Sequence, residues 1–197
     1  LKKIKFASEA KLKYIGSGCF NETDIETIEL PEGITDLGKL GNINGGWNPI
    51  GCFYQCDKLT SICIPKTVKN IGCNCFWGCE NLKEVYIPED SQLEVVSFSA
   101  FEYCSSLECI KFPSTLKELL GFVYDGIINL PDNTIINNAV IGSTFGGCQK
   151  LKKVTFNKDS QLKYLPTQCF EHCGSLTDVE LPDNLEILGA SAFAYCI

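Results

Sequence analysis

The sequence predicts a single α/β solenoid: a right-handed stack of about eight coils, with a curved parallel β-sheet on the concave face and short helical turns on the convex face. Three observations predict it. Two long phrases, residues 59–82 (LTSICIPKTVKNIGCNCFWGCENL) and 176–196 (LTDVELPDNLEILGASAFAYC), follow one template. That template is L-x-x-I-x-L-P-x-x-L-x-x-I-G-x-x-(A/C)-F-x-x-C, with the next copy opening three residues later. Further copies open at Leu1, Ile25, Leu82, Leu107 and Leu151, and the tetrapeptide DSQL recurs at 90–93 and 159–162 in the same place of its copy. One such copy cannot bury its apolar side alone, whereas stacked copies share a continuous core.

The opening L-x-x-I-x-L alternates apolar and polar residues, the pattern of a short strand with one buried face. Proline follows it at Pro31, Pro65, Pro88, Pro113, Pro131 and Pro182. Proline has no N–H for a ladder, so it ends the pairing and turns the chain. A second apolar pair, such as Val68 and Ile71, faces inward again, and the glycine after it (Gly16, Gly38, Gly72, Gly142, Gly189) suits a turn with positive φ. The (A/C)-F-x-x-C segment is too short for an independent helix, and one helical turn with a buried Phe is expected there.

Two stretches break the period. The copy from Ile25 to Leu59 is too long, with its surplus near residues 38–50 (GKLGNINGGWNP). The stretch from Leu107 to Leu151, irregular over 117–140, reads as two degenerate copies. In it Ile128-Asn129-Leu130-Pro131 restores the strand signature, and Ile141-Gly142 with Phe145 and Cys148 restores the rest. The alternative is seven coils with one long inserted loop, a rarer arrangement in a compact domain.

The recurring I-x-L-P…I-G-x-x-A-F-x-x-C-x-x-L resembles the BspA-like leucine-rich repeat, and its spacing of about 23 to 25 residues lies in the leucine-rich-repeat range. The resemblance covers essentially the whole chain, residues 1–197, as one domain. It implies a curved solenoid that is often used for adhesion to host or matrix proteins at a cell surface, and it implies no catalytic residue.

Composition narrows the partners. Net charge is −7 and all 17 basic residues are Lys, which disfavours nucleic acid, anionic membrane and phosphate recognition. No apolar run is long enough to span a bilayer. The chain contains no Met and shows no polar capping copy, so it reads as part of a longer protein.

The 13 Cys fall mainly into two columns. Cys56, Cys79, Cys104, Cys148, Cys173 and Cys196 close the F-x-x-C segment, and Cys19, Cys52, Cys75 and Cys169 precede its Phe. Exchange with Ala100 and Ala192 in the second column marks small buried sites, so a ladder of reduced thiols is expected in preference to disulfides or a metal. Cys63 and Cys109 replace polar strand residues and should be exposed. His172 reads as an exposed turn residue, Trp77 as outer packing, and Asn21-Glu22-Thr23 as a glycosylation tripeptide of the kind that occurs by chance. No catalytic, cofactor-binding or metal constellation stands apart from the repeat.

Binding is expected on the outward strand residues: Lys5, Glu29, Cys63, Tyr86, Lys111, Asn129, Thr155 and Glu180, preceded by Lys3, Thr27, Ser61, Glu84, Cys109, Ile127, Lys153 and Asp178. Tyr86 with Lys111 forms the favoured centre, because Tyr is enriched at interface hot spots. Trp47, in the Gly/Asn-rich insertion, is the second candidate. The expected activity is non-enzymatic protein binding at a cell surface or in a secreted setting. The alternative is an intracellular scaffold in the cytoplasm, which abundant reduced thiols would suit.

Overall fold

Each copy of the repeat folds into a coil with three sides: a strand, a second shorter strand, and a run of tight turns that carries the Phe and Cys. This is seen in a computed structural model, which describes residues 1–7, 9–38, 50–129, 135–141 and 143–197, with 122–129 and 135–141 described as backbone. In chain order the strands are β1 (Lys3–Ile4), β2 (Tyr14–Ile15), β3 (Thr27–Ile28), β4 (Asp36–Leu37), β5 (Ser61–Cys63), β6 (Asn70–Ile71), β7 (Glu84–Tyr86) and β8 (Val95–Val96). They continue as β9 (Cys109–Phe112), β10 (Glu118–Leu119), β11 (Phe122–Asn129), β12 (Ile135–Ile141), β13 (Lys153–Phe156), β14 (Tyr164–Leu165), β15 (Asp178–Glu180) and β16 (Ile187–Leu188).

On the first side, β5, β7, β9, β13 and β15 form one parallel sheet, and β1 pairs with β3 in the same sense. On the second side, β2, β4, β6, β8 and β10 form another, with β14 paired to β16. Among the described residues the strands of the first side mark about six turns between first and last. That is fewer than the eight coils expected from the sequence.

The difference lies between Leu107 and Leu151. Strand β9 pairs directly with β13, Lys153 opposite Cys109 and Phe156 opposite Phe112. No coil stands between them. The stretch read as a degenerate copy is instead an antiparallel hairpin, β11 with β12. The Ile128-Asn129 that mimicked a strand signature belongs to it, and Leu130-Pro131 lies outside the described residues. After the hairpin, Thr144 and Phe145 complete the coil that began at Leu107: the Phe101 N–H donates to the Thr144 carbonyl at 2.9 Å. One coil is therefore interrupted, and no copy has degenerated. Strands β11 and β12 pack on each other and on no other strand among the described residues. Replacing residues 122–141 by a short linker is therefore expected to leave the solenoid folded. Urea unfolding should shift by no more than about 1 kcal/mol; loss of the β-rich circular dichroism spectrum would show that the hairpin is structural after all.

The third side also departs from expectation. No helix occurs among the described residues; the F-x-x-C segments are successive turns. Positive φ at two positions four residues apart is the reason. Asn74 (51°) and Gly78 (69°) flank one segment, Ser99 (52°) and Tyr103 (59°) the next, and Gln168 (61°) and His172 (60°) a third. A left-handed residue in every fourth place cannot continue a right-handed helix. It turns alternate N–H groups toward the neighbouring coil instead. Phe53, Phe76 and Phe145 donate to the carbonyls of Cys75, Ala100 and Cys169 at 2.8 to 2.9 Å, and Gln55, Gly78 and Gly147 to those of Trp77, Glu102 and Glu171 at 2.8 to 2.9 Å. The turns are thus stitched coil to coil almost as a sheet is. Among the described glycines expected to hold positive φ after the second strand (Gly16, Gly38, Gly72, Gly189), only Gly38 does.

The core runs the length of the stack. Phe20, Phe53, Phe76, Phe101, Phe145, Phe170 and Phe193 stack ring on ring, with centroids 5.0 to 5.4 Å apart. These offset stacks add to the area that the rings bury. The recurring DSQL also has a structural reason. The Ser91 and Ser160 hydroxyls accept from the Leu93 and Leu162 N–H groups at 3.2 and 3.3 Å, so each buried serine holds its own turn.

Candidate protein-binding face

The exposed column of the first sheet follows from register. Ser61 stands opposite Glu84, Glu84 opposite Cys109, Cys109 opposite Lys153, and Lys153 opposite Asp178. In the next column Cys63 stands beside Tyr86, and Lys111 beside Thr155, which stands beside Glu180. Alternation puts Ile62, Val85, Ile110 and Val154 inward on the same strands, which is why these side chains face solvent.

Tyr86 is 61 % exposed, a large fraction for an aromatic side chain in a sheet. It borders an open groove of about 580 Å³ lined also by Val85, Pro88, Glu89, Cys109 and Lys111. A smaller hollow of about 240 Å³ adjoins it at Pro88, Glu89, Lys111, Phe112, Pro113 and Asn157. Lys111 Nζ donates to Glu89 Oε1 at 2.8 Å between the two. That hydrogen bond, with the attraction between the charges, raises the Lys111 ammonium and lowers the Glu89 carboxyl from their ordinary values. The pair is solvated, so it contributes little to stability and restrains the Lys111 side chain only weakly. Glu89 was not among the expected residues. Its signal was positional: it follows the proline that ends the strand carrying Tyr86.

The other expected residues are distributed as follows. Lys5 and Glu29 line a separate hollow of about 270 Å³ on the first coils, with Lys3, Phe6 and Thr27. Glu180 accepts from Lys153 Nζ, which also reaches Asp178 at 3.0 Å, and these bonds raise the Lys153 ammonium. Thr155 is half-exposed between Lys111 and Glu180. Asn129 does not belong to this face: it sits at the end of β11 opposite Ile135, in the antiparallel hairpin. Trp47 lies outside the described residues.

Nothing in the cysteine columns resembles an activated nucleophile. In the column after Phe, each thiol donates to the Phe carbonyl of the preceding coil: Cys56 to Phe20, Cys79 to Phe53, Cys104 to Phe76, Cys148 to Phe101, Cys173 to Phe145 and Cys196 to Phe170, at 2.9 to 3.2 Å. Burial pushes the Cys79, Cys104 and Cys148 thiols well above their ordinary value, so they stay protonated as donors. Thr23, in the same position of the earliest of these coils, donates to Phe20 of its own coil at 2.9 Å. A donor at every place in this column was a signal in the sequence that packing arguments overlooked. Cys19 departs from the expected buried ladder: it is exposed. Cys63 and Cys109 are exposed. His172 is exposed and stacks on Tyr195 at 4.6 Å. Trp77 is sandwiched on the outer side between Tyr54 at 4.6 Å and Tyr103 at 5.3 Å. Among the described residues, no group of three or more His, Cys, Asp or Glu is placed to hold a metal ion.

Comparison with known proteins agrees with this architecture. The family described as BspA type leucine rich repeat region matches in six copies over residues 1–40, 49–143 and 128–197. Among solved structures, a leucine rich cell surface protein of Faecalibacterium prausnitzii superposes with a TM-score of 0.52 at 24 % identity, over 75 % of this chain and 41 % of that one. The pneumococcal vaccine antigen PcpA gives 0.49 at 18 % identity, over 88 % and 49 %. A T. pallidum leucine rich repeat protein gives 0.46 at 24 % identity, over 75 % and 71 %. This chain thus spans between two fifths and one half of the first two. No curated protein matches the sequence. Repeats matched along nearly the whole chain, folded into stacked parallel coils with the F-x-x-C turns in register, place it in the BspA-type leucine-rich repeat family.

Proposed function

We propose that this chain is a non-enzymatic recognition module whose first sheet face binds a protein partner at Tyr86 and Lys111, in a cell-surface adhesion role. The observation that carries the reading is Tyr86 itself: an aromatic ring exposed on a mixed-charge parallel sheet, over a groove large enough for partner side chains. Such a ring loses water on docking at low entropic cost, and Lys111, paired with Glu89, adds a charge beside it. The family is one of protein-interaction repeats. The surface setting draws support from the Faecalibacterium protein, which is described as a cell surface protein. A cytoplasmic scaffold is the second reading, favoured by the 13 cysteines, all held as thiols.

The test is binding of the purified chain to a panel of immobilised matrix proteins and to host-cell surfaces. Against whichever ligand is bound, Tyr86→Ala and Lys111→Glu should each weaken affinity by roughly tenfold or more. Unchanged binding by both variants, with loss on Trp47→Ala, would move the site to the insertion. Antibody labelling of intact against permeabilised source cells decides the setting: label confined to permeabilised cells overturns the surface reading.

A further inference from the structure

The hairpin differs from the rest of the molecule in what it leaves unpaired. Every other strand is paired in parallel with a strand of another coil. Strands β11 and β12 pair only with each other, antiparallel, from Phe122 opposite Ile141 to Asn129 opposite Ile135. Among the described residues, each of the two therefore has an outer edge that meets no strand. Such an edge is a template for a further strand, and a two-stranded hairpin on its own is marginal in water.

The two edges are not alike. In β11, Asp125 and Gly126 together stand against the single Asn138, because Tyr124 pairs with Ala139 and Ile127 with Asn137. The extra residue, and the charge, are thus on β11. A bulge and a charge are two devices that spoil an edge for further pairing. Strand β12 (IINNAVI) has no charge, no Pro and no Gly. Among the described strands of four or more residues it alone lacks a charge: β9 carries Lys111, β11 Asp125 and β13 Lys153.

The order of residues in β12 says which strand fits its edge. About Asn138 the strand reads nearly the same in both directions: Ile135 mirrors Ile141, Ile136 mirrors Val140, and Asn137 mirrors Ala139. Antiparallel pairing of two copies about a two-fold axis at Asn138 sets Ile135 opposite Ile141, Ile136 opposite Val140, and Asn138 opposite its own image. Pairs of β-branched residues directly opposite one another are favourable in a sheet. In a two-fold contact the central residue meets itself, so a charge there would meet a like charge. Strand β12 has none to meet.

We propose that β12 is a dimerisation strand, through which two copies of this chain pair antiparallel about Asn138. The product is a four-stranded sheet in the order β11, β12, β12 of the second copy, β11 of the second copy. Its shared seam runs about 24 Å, at roughly 3.4 Å per residue. Its outer edges are the two β11 strands, whose bulge and Asp125 oppose further addition, so the assembly closes at two copies. The solenoid ladders are left as they are, since neither hairpin strand packs on them.

Sedimentation equilibrium of the full chain tests this, with reductant present so that the exposed thiols cannot link copies. At protein concentrations of order 100 μM the mass should approach twice 21.7 kDa, and it should fall toward 21.7 kDa on dilution. Asn138→Lys and Asn138→Asp each set like charges opposite one another and should weaken the dimer roughly fivefold or more. An equal mixture of the two variants should restore it, because Lys then faces Asp. Mixing would not rescue substitutions that merely damaged the hairpin. Tyr86→Ala should leave the mass unchanged, which separates this contact from the first-sheet face. Any of four results would overturn the proposal: a monomer at every concentration, a dimer that survives replacement of residues 122–141, failure of the mixture to recover, or growth beyond two copies.

Discussion

Gly51→Ala is expected to cost about 3 kcal/mol of stability, far more than one methyl group on a surface turn usually costs. Gly51 precedes Cys52 and Phe53, the place held by Asn74, Ser99, Gln168 and Ser191 in other coils. Those residues all carry positive φ, which turns their side chains away from the neighbouring coil. Gly51 does not, and a Cβ built on it would fall inside the carbonyl of Asn74 and against the Cys75 amide. Both obstacles are backbone, anchored in turn by the Asn74 N–H bond to Phe98 and the Phe53 bond to Cys75. Neither can swing aside as a side chain would. The control is Gly78→Ala: its φ of +69° is unfavourable for alanine, but the added atom meets chiefly the flexible Gln55 side chain. That variant should lose about 1 kcal/mol. Urea unfolding of the two variants decides the matter. If Gly51→Ala loses no more than Gly78→Ala, the close approach between these coils is not as tight as described.

Phe101→Ala should cost about 3 to 5 kcal/mol. Its ring is fully buried and lies midway in the aromatic column, 5.3 Å from Phe76 and 5.4 Å from Phe145. Removing it opens a cavity where the stack crosses from the coil before the hairpin to the interrupted one. The coils there are held by the Cys148 thiol on the Phe101 carbonyl and the Phe101 N–H on Thr144, so collapse into the space is restrained. Because coils support one another only through their neighbours, the variant should also lose cooperativity, splitting one unfolding transition into two. Calorimetry reads both effects. A single transition with an unchanged midpoint would mean that the column is dispensable at its middle.

The parts of this fold legible in the sequence were those set by alternation. I-x-L-P predicted inward Ile62, Val85 and Ile110 and outward Ser61, Glu84 and Cys109, because a strand has one geometry and two faces. The F-x-x-C turns were legible in position but not in conformation. Four-residue spacing is equally that of a helical turn and of turns broken by left-handed residues, and Asn74, Tyr103 and His172 adopt positive φ without the glycine that would announce it. The hairpin was misread because Ile128-Asn129-Leu130-Pro131 satisfies the strand signature by composition; only the pairing of β9 with β13 shows that no coil is needed there. On the proposed binding face, Tyr86 and Lys111 were singled out together, and they line one groove. The pairing of Lys111 with Glu89 depends on a side chain crossing from the turn after one strand to the next coil, which no local pattern encodes.

Both departures from the period occur at one corner of the coil. In an ordinary coil Ile71 is followed by Phe76 after four residues, whereas the chain makes its detours between Leu37 and Phe53 and again between Leu119 and Phe145. The corner from second strand to turn is therefore a port at which chain length is decoupled from stacking. Before the port, β4 still pairs with its neighbours on both sides and β10 with β8; after it, Phe53 and Phe145 rejoin the aromatic column. One strand ladder breaks at each detour, β3 being unpaired with β5 and β10 with β14, while the aromatic column bridges both, Phe20 to Phe53 and Phe101 to Phe145. New specificities can accumulate there as interchangeable cassettes, and foreign peptides can be grafted there for display, on a scaffold that need not be redesigned to carry them.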